Sequence, residues 1–144
     1  MRTGTLTLSH QVDVAAYHSL PILPTWHPCN KHHGHDYRIT MELTAPAGLV
    51  TDDAADQLRV AAAELERPGG PLHMEELGYL DGGEFDPRAD SQWLAGWVHR
   101  WVAARLPEAL STHLVIQVQA PAVDRIPMAH RGSAIPVEHN GQPV

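Results

Sequence analysis

From Leu6 the apolar residues fall on even positions, Leu6, Leu8, Val12, Val14 and Ala16, which is the two-residue period of a strand with one buried face. His10 and His18 continue that series. After an irregular stretch containing Pro21, Pro24 and Pro28, alternation resumes on odd positions with His33, His35, Tyr37, Ile39, Met41 and Leu43. The opposite face reads Asp36, Arg38, Thr40, Glu42 and Thr44, so this second strand also has a wet side. The period then changes. Thr51-Asp52-Asp53 offers a capping oxygen and two first-turn carboxylates, and Ala55, Leu58, Ala62 and Leu65 follow at helical spacing up to the break at Pro68-Gly69-Gly70-Pro71. The segment 73–87, with Gly78, Gly82 and Gly83, reads as loop holding at most a short turn. A second helix is predicted from near Ser91, because Leu94, Trp97, Val98, Trp101 and Val102 form one apolar stripe. Those tryptophans read as core. Beyond Pro107 the alternation of Leu114, Ile116 and Val118 marks a strand from His113 to Ala120, and a short strand is predicted over 126–131.

The resulting order, β-β-α-α-β-β, predicts an α+β fold in which an antiparallel sheet carries two helices on one face. A chain of 144 residues fits one domain, read as residues 1–135, with a weakly ordered tail over 136–144. A four-stranded sheet of this kind keeps two open edges, and closing such edges by pairing between copies into an oligomeric barrel is one way they are managed.

Charge narrows the function classes. The formal net charge is −7, with Lys and Arg scattered, so the electrostatic footprint of a nucleic-acid or anionic-membrane binder is missing. The chain moves into strand alternation without an apolar leader and contains no stretch of membrane-spanning length, which predicts a soluble cytoplasmic protein. A single cysteine excludes an intrachain disulfide.

The chemistry concentrates in Cys29-Asn30-Lys31-His32-His33-Gly34-His35-Asp36-Tyr37. Side chains alternate across a strand, so His33 and His35 project to the same side and are spaced to grip one ion. Gly34 between them lets another group approach the backbone closely. His18 brings the count to the three protein ligands typical of a catalytic zinc, whose fourth position is left for water or substrate. Histidine is abundant here, at 11 residues, and His10, His27 and His32 read as polar surface. Cys29 is either an ordinary buried thiol or, beside a cation that lowers its pKa, a nucleophile or base.

These residues resemble the 6-pyruvoyltetrahydropterin synthase and 6-carboxytetrahydropterin synthase family, built on the tunnelling fold. That family pairs an Ala-His near the end of the first strand with a later Cys-x-x-x-His-Gly-His-x-Tyr. Here Ala16-Tyr17-His18, with one residue inserted, and Cys29 through Tyr37 match that arrangement. Fainter likeness runs over residues 5 to 132, including the helix around Trp97 and His130-Arg131-Gly132 at the end. The resemblance implies zinc on His18, His33 and His35, Cys29 as the catalytic base, and a homohexamer of two stacked trimers with active sites at subunit interfaces. It also implies a small-molecule substrate whose side-chain hydroxyls the zinc binds.

Three departures from the pattern shape the expectation. Where the family has Leu-Asp-His, this chain has Pro71-Leu72-His73, so His73 is a candidate catalytic residue whose orienting carboxylate would come from Glu75 or Glu76. Counting back from Trp97, the family's Pro-Thr-Ser-Glu becomes Ala89-Asp90-Ser91-Gln92, leaving Ser91 and Gln92 as candidate substrate contacts. The glutamate that clamps the pterin at the end of the third strand is replaced within Gln117-Val118-Gln119-Ala120-Pro121, and the next carboxylate is Asp124. Losing that acceptor leaves buried pterin donors unmatched, at about 1–3 kcal/mol or more. The expectation is therefore a zinc-dependent lyase or cyclase acting on a small hydroxylated or carbonyl metabolite other than the standard pterin. The alternatives are a true pterin synthase with Asp124 as anchor, and a non-catalytic relative that uses zinc to hold a small ligand or the fold.

Overall fold

The computed structural model describes residues 4–120 and 137–139. Strands β1 (Thr5–His18) and β2 (His33–Pro46) form a long antiparallel hairpin, in register from Thr5 opposite Pro46 to His18 opposite His33. Helices α1 (Asp52–Glu66) and α2 (Ser91–Ala103) and the single turn α3 (Glu108–Ser111) separate the hairpin from β3 (Leu114–Gln119). A fourth strand, β4 (Val137–His139), pairs with Ile116–Val118 of β3. The sheet is antiparallel throughout in the order β1-β2-β3-β4. This is the α+β arrangement that the pattern predicts. The strand expected over 126–131 lies outside the described residues, and β4 falls within the 136–144 segment.

The alternation decides which face is covered. Val12, Val14 and Ala16 of β1, Tyr37, Ile39, Met41 and Leu43 of β2, and Leu114, Ile116 and Val118 of β3 are buried in one cluster. Onto it α1 presents Ala54, Leu58, Ala61, Ala62 and Leu65, and α2 presents Leu94, Ala95, Val98 and Val102. Each fully buried leucine or valine among them stabilises the fold by roughly 1.5–3 kcal/mol. The α1 stripe begins at Ala54 rather than Ala55, one position earlier than its spacing indicates from sequence. Both helices start on side-chain caps: Thr51 accepts from the Ala54 N–H at 3.1 Å and Asp90 from the Trp93 N–H at 2.9 Å. The other sheet face is polar, with Asp13 and Arg38 bridged at 3.1 Å and the Thr7 and Thr44 hydroxyls 2.9 Å apart.

The outer edge of β1 is partly covered by the chain after α1. The Met74 N–H donates to the Ala15 carbonyl at 2.6 Å, the Tyr17 N–H donates to the Glu75 carbonyl at 3.0 Å, and Tyr17 and Glu76 form a parallel bridge. To follow that edge Met74 takes φ +64°, a left-handed conformation that an L residue holds only when its surroundings dictate it. A strap over residues 73–76 thus ends beside the tip of the hairpin. Among the described residues no helix is long and apolar enough to cross a membrane.

Candidate metal centre

The hairpin register sets the centre. His18 and His33 face each other as the last pair of the ladder, Ala16 lies opposite His35, and all three imidazoles point to the helix-covered face. The connection from Ser19 to His32 folds back over them. Within it the Leu20 N–H donates to the Cys29 carbonyl at 2.7 Å, and the Asn30 side-chain amide donates to the Leu23 carbonyl at 2.8 Å. A single 3-10 turn, Pro28–Asn30, delivers Cys29 into the interior with no exposed surface. His27 caps this turn: its Nδ1 accepts from the Cys29 N–H at 3.1 Å, and the ring is buried rather than on the surface as its polarity indicates from sequence.

One ligand atom from each of His18, Cys29, His33 and His35 comes together, all within 4.8 Å of one another. The Nε2 atoms of His18 and His33 are 2.8 Å apart, as are those of His33 and His35. The second nitrogens fix the tautomers. Nδ1 of His18 lies 2.6 Å from the Ala89 carbonyl and Nδ1 of His33 lies 2.6 Å from the Lys31 carbonyl. A carbonyl only accepts, so each Nδ1 carries the proton and each Nε2 of a neutral ring presents a lone pair. Two lone pairs facing at 2.8 Å repel unless a cation lies between them. Burial, the largest influence on His33, lowers its pKa and favours the neutral ring. The donor set fits a divalent metal, with backbone carbonyls orienting the rings in the manner of ordinary second-layer partners.

Burial also pushes the Cys29 thiol up to about 11. In that setting it keeps its proton at neutral pH unless positive charge stands beside it. Tyr37, buried with its hydroxyl 3.4 Å from His18 Nδ1, is likewise raised by burial.

The other sequence candidates lie elsewhere. His73 sits on the strap, where its Nδ1 accepts from the Ala15 N–H at 3.4 Å, and it is not part of the cluster. Glu76, a candidate partner for His73, bonds His32 Nε2 instead through Oε2. Ser91 is buried as the first residue of α2, Gln92 is exposed, and Asp124 lies outside the described residues. An open cleft of about 560 Å3 adjoins the hairpin tip and is lined by Ser19, His32, Glu76, Tyr79 and Phe85. The sequence does not reveal this group, because Glu76 reaches it on the strap, whose docking is made by backbone hydrogen bonds that side-chain periodicity does not encode.

Sheet, helices and cluster together define an α+β protein with a buried His and Cys centre able to hold a metal. No protein-family model matches the chain, and no curated protein sequence matches it. Solved structures do. The chain is similar to 6-pyruvoyl tetrahydropterin synthase of Caenorhabditis elegans, with 15% identity, 85% of this chain and 93% of that one covered, and a TM-score of 0.57. It is similar to the Plasmodium falciparum 6-pyruvoyl tetrahydropterin synthase, with 13% identity, coverage of 81% and 91%, and a TM-score of 0.54. A Plasmodium vivax 6-pyruvoyltetrahydropterin synthase with a catalytic residue replaced gives 12% identity, coverage of 83% and 94%, and a TM-score of 0.53. At these identities the likeness is one of fold.

Proposed function

We propose that the chain is a zinc-dependent lyase or cyclase of the 6-pyruvoyltetrahydropterin synthase type, acting on a small hydroxylated or carbonyl metabolite other than the standard pterin. The observation that carries this reading is the pair of facing Nε2 atoms, each locked as a lone-pair donor by a carbonyl behind it. Zinc held by His18, His33 and His35 would supply Lewis-acid polarisation of a substrate hydroxyl or carbonyl oxygen. Cys29, within 4.8 Å of the ligand nitrogens, would take a proton from the adjacent substrate carbon. The dry pocket around the thiol makes it a poor base when no cation is near and an effective one when a cation is bound, which ties the proton transfer to metal loading. The polar sheet face and the outer edge of β1, open beyond the strap, support assembly into the homohexamer that the fold's resemblance implies.

A second reading has its own support. Because the Cys29 sulfur lies within 4.8 Å of the three histidine nitrogens, the thiolate can complete a closed four-ligand site of the structural kind, leaving no position for substrate. Elemental analysis and cobalt substitution separate the two. About one zinc per chain in the wild type and none in a His33→Ala/His35→Ala variant supports the centre. A cobalt-loaded protein without a thiolate charge-transfer band supports Cys29 as base, whereas a band that Cys29→Ser abolishes supports the closed site. Wild-type protein that stays folded, carries no metal and takes up none would remove both readings.

A further inference from the structure

The cleft beside the centre contains a carboxylate whose acceptor capacity is only partly used. Glu76 Oε2 bonds His32, while Oε1 is buried and meets no hydrogen-bond donor among the described residues. Buried polar atoms are nearly always paired, so an acceptor left over at the wall of a cleft marks a place where a donor arrives from outside the chain. The group is held firmly. The strap bridges Glu76 to Tyr17, the Tyr17 ring stacks on His32 with centroids 5.4 Å apart and planes 17° from parallel, and His32 grips the carboxylate. Gly34 leaves the stack room, since a Cβ there would stand 3.1 Å from the Tyr17 ring and press it aside by a few tenths of an ångström. The same cleft has an apolar wall: Tyr79 and Phe85 lie with ring centroids 5.2 Å apart, and Tyr79 is exposed. Phe85 is seated there because Gly78 leaves it room, a Cβ at Gly78 falling 2.3 Å from the Phe85 ring.

We propose that Glu76 is a specificity residue whose carboxylate accepts an N–H or O–H from a flat small ligand resting against Tyr79 and Phe85. Turning about the soft terminal torsion of the glutamate brings the buried Oε1 to the cleft, the bond from Oε2 to the exposed His32 ring yielding while the strap backbone stays in place. This rests on the reading above in placing the ligand next to the metal centre, and it adds the chemical group by which the ligand is recognised. A ligand offering only acceptors at that position is rejected, since it would set lone pairs against the carboxylate.

The test uses the full-length protein loaded with zinc and two flat probes, benzamidine, which carries N–H donors, and benzoate, which has the same shape and none. Amide chemical shifts of His32, Glu76 and Tyr79 are followed by NMR during titration. Saturable shifts with benzamidine and none with benzoate are expected, with affinity for benzamidine falling about tenfold or more in Glu76→Gln, a change of one charge-assisted hydrogen bond. Tyr79→Leu, at an exposed position, is expected to weaken benzamidine severalfold while leaving the rest of the spectrum unchanged. Equal shifts from the two probes, wild-type affinity in Glu76→Gln, or no saturation with benzamidine overturns the inference. Zinc is assayed on the same samples. Glu76-dependent benzamidine binding by protein that takes up no zinc upholds this inference and removes the lyase reading, whereas bound zinc without benzamidine binding overturns this inference alone.

Discussion

At the scale of single residues, the decisive contrast is between imidazoles made ready to bind a cation and a thiol made unready. The ring nitrogens of His18 and His33 reach the cluster as lone pairs because carbonyls hold their other protons. Cys29 reaches it protonated because burial pushes its pKa from near 9 to about 11. A group with a raised pKa contributes to stability below its unfolded value and loses that contribution as pH rises through its folded one, so the metal-free protein should lose stability above pH 9. Only the thiolate alkylates, so metal-free protein at pH 8 should react with iodoacetamide roughly a hundredfold more slowly than free cysteine, and about tenfold faster for each pH unit of increase. Labelling at the rate of free cysteine would show that the thiol does not sit buried among the histidines. The cluster is legible in the sequence because its members lie close together along the chain and two of them, His33 and His35, share one face of β2. His27 is not, because its burial follows from a cap on a three-residue turn, and polarity alone places a histidine outside.

At the scale of elements, the start of α2 matters to the centre although none of its side chains enters the cluster. Asp90 caps the helix, and the residue before it, Ala89, supplies the carbonyl that orients His18. Asp90→Ala should cost about 1 kcal/mol of stability, readable in a denaturant melt. Loosening the Ala89 carbonyl should also lower zinc affinity by about tenfold or more in a competition with a chelator, the usual effect of losing a partner behind a ligand. Unchanged zinc affinity in a destabilised variant would show that the carbonyl is held without the cap. Periodicity located both helices and three strands within a residue or two, since each buries a face whose repeat is written in the sequence. From sequence the strap reads only as loop: its edge pairing uses N–H and C=O groups that every residue has, and its turn at Met74 has a positive φ without the glycine that normally announces one.

At the scale of the whole molecule, the outer edge of β1 carries no neighbouring strand among the described residues. Tyr17, Ala15 and Asp13 turn their N–H groups outward, to Glu75, His73 and Glu66 respectively. By the two-residue period Ser9 and Gln11 present theirs along the same edge, beyond the strap. Proline at an outward position leaves the β1–β2 ladder intact and removes a donor that a neighbouring copy would use. If copies pair along this edge in the proposed hexamer, Ser9→Pro should keep the far-ultraviolet circular dichroism of the wild type and lower the mass found by light scattering. An assembly of unchanged mass in Ser9→Pro would place the contact between copies on another surface.

All four groups of the cluster come from the short stretch between His18 and His35, yet the carbonyl behind His18 comes from residue 89. The two parts of the centre therefore have different histories on the ribosome. The ligand atoms can gather around an ion as soon as the hairpin has emerged, before either helix is made. With a metal bound there, the later arrival of α2 would act as a latch, turning an early and exchangeable capture into a slow-release one, and the rate at which the metal leaves would report on whether the second half of the domain has folded.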